Sequence, residues 1–360
     1  MKVDRDFAAN MFMMYRTLYP YDTCFSEKLP ARLYEENTDR IPVATSQQLE
    51  EILREQVQRA CANGKACLAL SGGIDSAVLA KFMPAGSVAY TFKCVVPGVQ
   101  VTDETGRAEV YAKQCGLEHR IVEIYWEDFE ELAPKLMIHK GAPLHSIEIQ
   151  IAKAAMRAKT DGFDTMIFGE SADVNFGGLD GLLSKDYLVS EFVERFSYLL
   201  PYKALKKPAF ELEPILKYTK NGYVDVHEFE RRQDYCESMG SYTNAMDYVG
   251  VKFSAPYSKT ILKDSLDYGR VRNGDSKYLV REIFKRLYPD FQVPVKIPMP
   301  RPMNEWMANW SGPSRDEFIP ECQKNLTGDE KWMVWSLEKF LDIVDQIENK
   351  IEVPSCRNRF

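Results

Sequence analysis

The run Ala66-Cys67-Leu68-Ala69-Leu70 is apolar at every position and leads straight into Ser71-Gly72-Gly73-Ile74-Asp75-Ser76. A strand without polar alternation has to be covered on both faces, the condition of a strand inside a parallel sheet flanked by helices. Paired glycines directly after it let the backbone turn tightly and approach a ligand closely. The helix signal that follows places unpaired N–H groups and a positive helix end at that turn, an arrangement that attracts phosphate. This order of buried strand, glycine turn and helix confines the chain to the α/β class.

The same unit repeats. A helix over 77–83, stopped by Pro84 and Gly86, leads to a strand over 88–94. A helix over 103–115 with acidic residues in its first turn stops at Gly116, and a strand follows over 120–124. After helices near 128–137 and over 147–158, residues 165–168 form another buried strand. The pattern predicts a doubly wound, mostly parallel sheet. From Lys185 onward the periodicity is helical with little strand signal, over 187–198, 228–239, 277–287 and 331–351. Residues 1–45 lack periodicity and read as an irregular lead-in, and Thr45 with Gln48 opens a capped helix that ends near Asn63-Gly64. The expected division is a lead-in and helix over 1–60 and one domain over 61–350, with an α/β core at 61–185 and a helical part at 186–350.

Charge and cysteine usage narrow the surroundings. A formal charge of −7 would repel a phosphate backbone, so a nucleic-acid partner is not expected. Eight scattered cysteines form no Cys-x-x-Cys pair and have no His at zinc-ligand spacing, which predicts reduced thiols and a cytoplasmic protein. Neither a secretory leader nor an apolar run of membrane-spanning length is present, so no membrane association is expected.

In the glycine loop, the Ser71 and Ser76 hydroxyls add donors to the amides of Gly72 and Gly73, while Asp75 would repel a bare phosphate and makes sense as a ligand to Mg²⁺. Alone, these six residues could be a tight turn with a capping Ser or Asp; the strand before and the helix after favour a phosphate site. They resemble the signature of the N-type ATP pyrophosphatases, which include GMP synthetase, NAD synthetase, argininosuccinate synthetase and the asparagine synthetases. The resemblance implies an adenine nucleotide alpha hydrolase-like fold, ATP and Mg²⁺ at the loop, and a substrate adenylate formed with release of pyrophosphate.

Two further segments point within that family. Residues 168–178, Phe-Gly-Glu-Ser-Ala-Asp-Val-Asn-Phe-Gly-Gly, resemble the asparagine synthetase segment Ser-Gly-Glu-Gly-Ala-Asp-Glu-Phe-Gly-Gly. By that resemblance Asp173 is the second carboxylate on Mg²⁺-pyrophosphate, opposite Asp75, and Glu170 lies beside the reacting substrate, placed to take a proton from an incoming amine. Residues 275–282, Asp-Ser-Lys-Tyr-Leu-Val-Arg-Glu, resemble the family's Lys-Tyr-Leu-Leu-Arg-Glu run, which makes Lys277 the lysine that reaches the α-phosphate. The family's backbone contacts to adenine map near Leu70, Phe92 and Gly169. Without the resemblance, Glu170 and Asp173 read as a charged capping loop, Lys277 and Arg281 as a solvated helix face, and Phe92 as core.

The resemblance covers roughly residues 40–310 and departs in places. The segment Gly250-Val251-Lys252-Phe253-Ser254-Ala255-Pro256-Tyr257-Ser258-Lys259 aligns with Gly-Val-Glu-Ala-Arg-Val-Pro-Phe-Leu-Asp, so Lys252, Ser254 and Lys259 replace Glu, Arg and Asp. The family's Arg-x-Lys-x-x-Phe appears as Lys296 through Arg301 with the basic residues displaced. No glutaminase domain precedes the loop at Ser71, so nitrogen is expected from ammonia, from an amine, or from a separate glutaminase subunit. Three readings follow: an amide-forming ligase acting on a small carboxylate, activation of a nucleic-acid base, and a non-catalytic subunit whose pocket has drifted.

Overall fold

Strands that are apolar on both faces sit where a sheet is covered on both sides, and those that alternate sit at its edge. The computed structural model describes residues 2–19, 22–32, 34, 39–297 and 299–349. Its central sheet has five parallel strands: β1 (Ala66–Ala69), β2 (Val88–Cys94), β3 (Glu118–Ile124), β4 (Thr165–Ile167) and β5 (Lys252–Ser254), in the order β5-β4-β1-β2-β3. Cys67 and Leu68 of β1 and Met166 and Ile167 of β4 are fully buried, whereas edge strand β3 buries Val122 and Ile124 and exposes Ile121.

Helices cover both faces. On one side α2 (Ser46–Ala60), α3 (Ile74–Ala80), α4 (Thr105–Cys115) and α10 (Tyr278–Leu287) share a core through Leu53, Val78, Tyr111 and Phe284. On the other side lie α1 (Arg5–Tyr15), α5 (Trp126–Lys140), α6 (Ile147–Thr160), α9 (Gly240–Val249) and α11 (Gly328–Glu348). Three short elements complete the frame around the site, α7 (Ala172–Asn175), α8 (Val226–Gln233) and a π-helical turn over Asp234–Met239 that joins α8 to α9. The strand order reverses between β1 and β4, and in such sheets ligands bind in the crevice beyond the carboxyl ends of the strands at that point. Ser71 follows β1 there and Phe168-Gly169 follows β4 there.

Several elements differ from what periodicity predicts. Residues 1–45 are not all irregular: α1 is capped by Asp4, whose side chain accepts from the Phe7 N–H at 3.1 Å, and Met11 through Tyr15 are buried all round. A helix buried on every side carries no amphipathic period for a sequence to display. The C-terminal half is not purely helical, because Lys252–Ser254 returns to the sheet beside β4, and Tyr187–Leu188, Thr219–Lys220 and Tyr223–Val224 form a small antiparallel sheet. Three-residue and two-residue strands are too short to leave a period. At α2, Thr45 accepts from the Gln48 N–H at 3.3 Å, but Gln48 Oε1 accepts from Ala44, not from Thr45. Helix α3 starts at Ile74, three residues before the apolar run suggests, since Gly73 supplies the cap position.

Seven of the eight cysteines are free thiols and Cys356 lies outside the described residues, as does the expected end of the last helix at residues 350–351. No helix among the described residues is long and apolar enough to cross a membrane.

Candidate active site

Strand β1 delivers the glycine loop to the crevice, and the loop is braced from inside. Ser76 is 3% exposed; its Oγ accepts from the Ser71 N–H at 3.0 Å and lies 3.3 Å from the Gly73 carbonyl, while Ser71 Oγ accepts from the Gly73 N–H at 3.2 Å. Ser76 therefore acts as the strut of the loop, and the amides of its first helical turn have no acceptor within α3. Gly72 N–H donates to Glu104 Oε1 at 3.2 Å, and a Cβ on Gly72 would sit 3.1 Å from Arg107 Nε and 3.3 Å from the Glu104 side chain. The first of the two glycines is thus held against the start of α4.

One cavity of about 600 Å³ at the carboxyl ends of the strands is lined by Leu70, Ser71, Gly73, Asp75, Ser76, Phe92, Gly169, Glu170, Asp173 and Lys277. All the residues singled out from sequence meet there except Gly72, which faces Glu104. Leu70 forms wall only in part: its N–H donates to the Tyr90 carbonyl at 2.8 Å and its carbonyl accepts from Thr91 Oγ1 at 2.6 Å, which commits most of its backbone polarity to the sheet. Phe92 stands edge-on to Phe168 with ring centroids 6.5 Å apart and is half-buried, so one face remains toward the cavity. Gly169 is where the two loops touch, because a Cβ there would come within 3.0 Å of both Asp75 Cβ and the Ser76 nitrogen.

Asp75 and Asp173 converge on one ammonium. Lys277 Nζ lies 2.7 Å from Asp75 Oδ2 and 2.8 Å from Asp173 Oδ1, and Lys296 Nζ lies 2.8 Å from Asp173 Oδ2. Burial pushes Asp75 above the ordinary carboxylate value despite Lys277. Burial acts on Asp173 in the same direction, but Lys277 and Lys296 together outweigh it and hold that carboxyl below the ordinary range. Burial alone would discharge Lys277; the two aspartates reverse this and raise it well above a free lysine. The side chain is directed there by its backbone, since Lys277 occupies the left-handed region at φ 51° as the cap of α10.

The carboxylate pair fits a divalent cation. Asp173 Oδ1 is buried, and its partner is the Lys277 ammonium at 2.8 Å, so the pair already faces a positive charge. Among the described residues no group of three or more His, Cys, Asp or Glu side chains gathers as a metal cage. A hard octahedral cation such as Mg²⁺ is held by one or two carboxylates together with phosphate oxygens and water, which is what two facing aspartates offer.

Glu170 lines the same cavity and belongs to a second cluster. Ser238 Oγ donates to Glu170 Oε1 at 2.8 Å, Tyr242 also bonds to it, and the Asp234 carboxyl faces it while accepting from Ser171 Oγ at 2.8 Å. Burial raises both carboxyls, and their mutual repulsion raises Asp234 furthest. Of the two carboxyls, Asp234 is the one that holds a proton more tightly, because burial and the neighbouring Glu170 charge both raise it.

Sequence reasoning missed Asp234, Ser238, Tyr242, Glu104 and Lys296 as site residues. Lys296 stood in the displaced basic run, and the displacement is what lets it reach Asp173 and the Gly178 carbonyl, the latter at 3.2 Å. Asp234 and Ser238 reach Glu170 through the π-helical turn, whose extra residue per turn re-aims side chains without any mark in the sequence. His145 lies outside the cavity, buried with Nδ1 2.8 Å from Glu237 and Nε2 2.9 Å from Arg16, and burial followed by Arg16 holds it down at about 3.

Burial holds Glu104 up at about 7 against an ordinary value of 4.5. The native protein thus keeps a proton that the unfolded chain releases at lower pH, and this group subtracts stability as pH rises from about 4.5 to 7. Glu104→Gln keeps an acceptor for Gly72 and removes that penalty. The variant is expected to gain about 2 kcal/mol relative to the parent between pH 5 and pH 8, read as thermal midpoints, and a flat difference would show that Glu104 ionises normally.

A doubly wound parallel sheet with a glycine loop and an acidic pair at its switch point defines a nucleotide-binding α/β protein. The asparagine synthase family model matches residues 48–257, more than half of the chain, and the protein belongs to that family. An ATP-dependent, ligase-type activity goes with that membership in its broad form. No curated protein matches the chain. Similar solved structures include an NH3-dependent NAD synthetase from Campylobacter jejuni, with 16% identity and a TM-score of 0.26 over 38% of this chain and 61% of that one. They include an NMN synthetase from Francisella tularensis, with 12% identity and a TM-score of 0.26 over 71% of this chain and 99% of that one. A U34-tRNA thiolase from Methanococcus maripaludis with its iron–sulfur cluster is 15% identical, with a TM-score of 0.24 over 70% of this chain and 83% of that one.

Proposed function

We propose that the protein is an amide-forming ligase that adenylylates a small carboxylate and passes the acyl group to ammonia or an amine. The observation that carries this is the convergence of Asp75, Asp173 and Lys277 beside the glycine loop, with the Glu170 cluster in the same cavity. The substrate carboxylate oxygen attacks the α-phosphorus of ATP, the bond to the bridging oxygen breaks, and pyrophosphate leaves. The nitrogen then attacks the acyl carbon, the bond to the AMP oxygen breaks, and the proton lost by the nitrogen goes to Glu170.

Each side chain has a task in that sequence. The amides of the first turn of α3 and the Ser71 hydroxyl bind the terminal phosphates, while Lys277 and Lys296 balance charge that builds on the phosphate oxygens. Asp75 and Asp173 would hold Mg²⁺, which when bound neutralises the departing pyrophosphate. Asp234, by keeping its own proton, leaves Glu170 as the acceptor. The nitrogen comes from free ammonia, a primary amine or a separate glutaminase subunit, and the free thiols fit a cytoplasmic setting.

The test is a screen for pyrophosphate release across small carboxylates with ammonia or amines, run on the parent and on Asp75→Asn. A carboxylate-dependent release in the parent that falls at least a hundredfold in Asp75→Asn supports the reading. Absence of release with every pair, or release that survives Asp75→Asn, counts against it.

A further inference from the structure

A second cavity of about 480 Å³ lies behind α7, on the side of edge strand β5. The four-residue helix is a wall of both cavities: Asp173 faces the first, and Ser171 and Asn175 face the second. We propose that this second cavity is a binding site for a small organic anion carrying carboxylate or phosphate groups, separate from the nucleotide site and independent of the reading given above.

Its charge is the first ground. The chain as a whole carries a formal −7, yet the charged residues that line this cavity are Arg40, Arg59, Lys252 and Lys259 against Asp234 alone. The Asp234 carboxyl is spent on Glu170 and Ser171. Arg59 has a carboxylate partner, Glu55 at 2.6 Å, but Lys252 and Lys259 have none among the described residues. Two lysines without a carboxylate partner on the wall of a concave site raise the local concentration of anions.

Placement on ordered backbone is the second ground. Lys252 sits on β5 in register with Thr165 of β4. The turn that carries Lys259 is pinned by Asn175, whose Nδ2 donates to the Tyr257 and Thr260 carbonyls at 3.1 and 3.2 Å. The third ground is sequence: Lys252, Ser254 and Lys259, which stand where the family segment has Glu, Arg and Asp, all open onto this one cavity. Where the family segment it resembles carries two acidic residues and an arginine, this chain places two lysines and a serine on the cavity wall. A volume of this size suits a metabolite and not a polymer.

Titration calorimetry with inorganic phosphate and with succinate tests this, on the full chain, with and without saturating adenosine α,β-methylene triphosphate. The parent is expected to bind at least one probe in both conditions, more weakly as salt is raised. Lys252→Met/Lys259→Met is expected to weaken that binding at least tenfold, while Lys113→Met, which removes an exposed lysine of α4, leaves it unchanged. An unchanged thermal midpoint of the double variant shows that the fold is intact; if it drops, Lys259→Gln alone is used for the same comparison. A preference for phosphate or for succinate identifies the source of the charge, and either supports the site. Lack of binding in the parent, binding that the analogue abolishes, or binding that the lysine changes do not touch overturns it. Failure of the analogue to bind would bear on the nucleotide reading and leave the titration without analogue as the measure of this site.

Discussion

Replacing Lys277 with Met is expected to lower pyrophosphate release about a thousandfold at saturating ATP. In the parent one ammonium lies between Asp75 and Asp173, at 2.7 and 2.8 Å. Without it, two buried acids face each other with only Lys296 on the far oxygen of Asp173. The site then has lost both the charge that would balance the reacting phosphates and the partner that fixes the carboxylates. Stability responds as well. Asp173 is held below its ordinary value in the parent, so it contributes stability that is present above about pH 4 and lost as pH falls. That contribution should vanish in the variant, and thermal midpoints of the two proteins should approach each other at acid pH. A variant that retains more than a tenth of the parent's rate would show that Lys277 serves the fold alone.

Glu170→Gln is expected to separate the two half-reactions. In the proposed reaction adenylylation uses the glycine loop, the acidic pair and Lys277, and the hydrogen-bond partners of Glu170 are instead Ser238, Tyr242 and Asp234, so pyrophosphate release should stay within a few-fold of the parent. Amide formation needs a proton acceptor beside the acyl carbon and should fall about a hundredfold to ten-thousandfold. Burial raises Asp234 most and the Glu170 charge next; the amide removes the second of these, so Asp234 should titrate lower in the variant and the remaining amide-forming rate should have a shifted pH profile. Equal losses of pyrophosphate and amide would mean that Glu170 shapes the cavity and moves no proton. The substrate pair for both measurements is the one found by the pyrophosphate screen.

Much of this site was legible because its parts are local. The apolar pattern marks the strand end and helix start around the glycine loop and Asp75, while Glu170, Asp173 and Lys277 came from the resemblance of two short segments to a family's, and short-range motifs need only short-range sequence. The parts that were not legible are those that depend on distant pieces arriving. Nothing local in Asp234 or Ser238 announces a π-helical turn, and nothing in Lys296 announces Asp173, more than a hundred residues earlier in the chain. The buried helix over Arg5–Tyr15 was hidden for a related reason, since it owes its burial to α11 and to the elements around Phe196 and Phe229 and not to a stripe of its own.

By itself the sequence determined that apolar strands alternate with helices, and therefore that a parallel sheet would present a glycine turn at one end. It could also set two acidic residues and a lysine on segments that follow strands or open helices. Only the tertiary structure decided that these segments meet, because the reversal of strand order between β1 and β4 is a property of how the crossovers wind and not of any one segment. The same winding divided the space on the two sides of α7, leaving an acidic pair with its lysine on one side and uncompensated lysines on the other. Charges act over a few ångströms, and which charges come that close is settled when the chain packs.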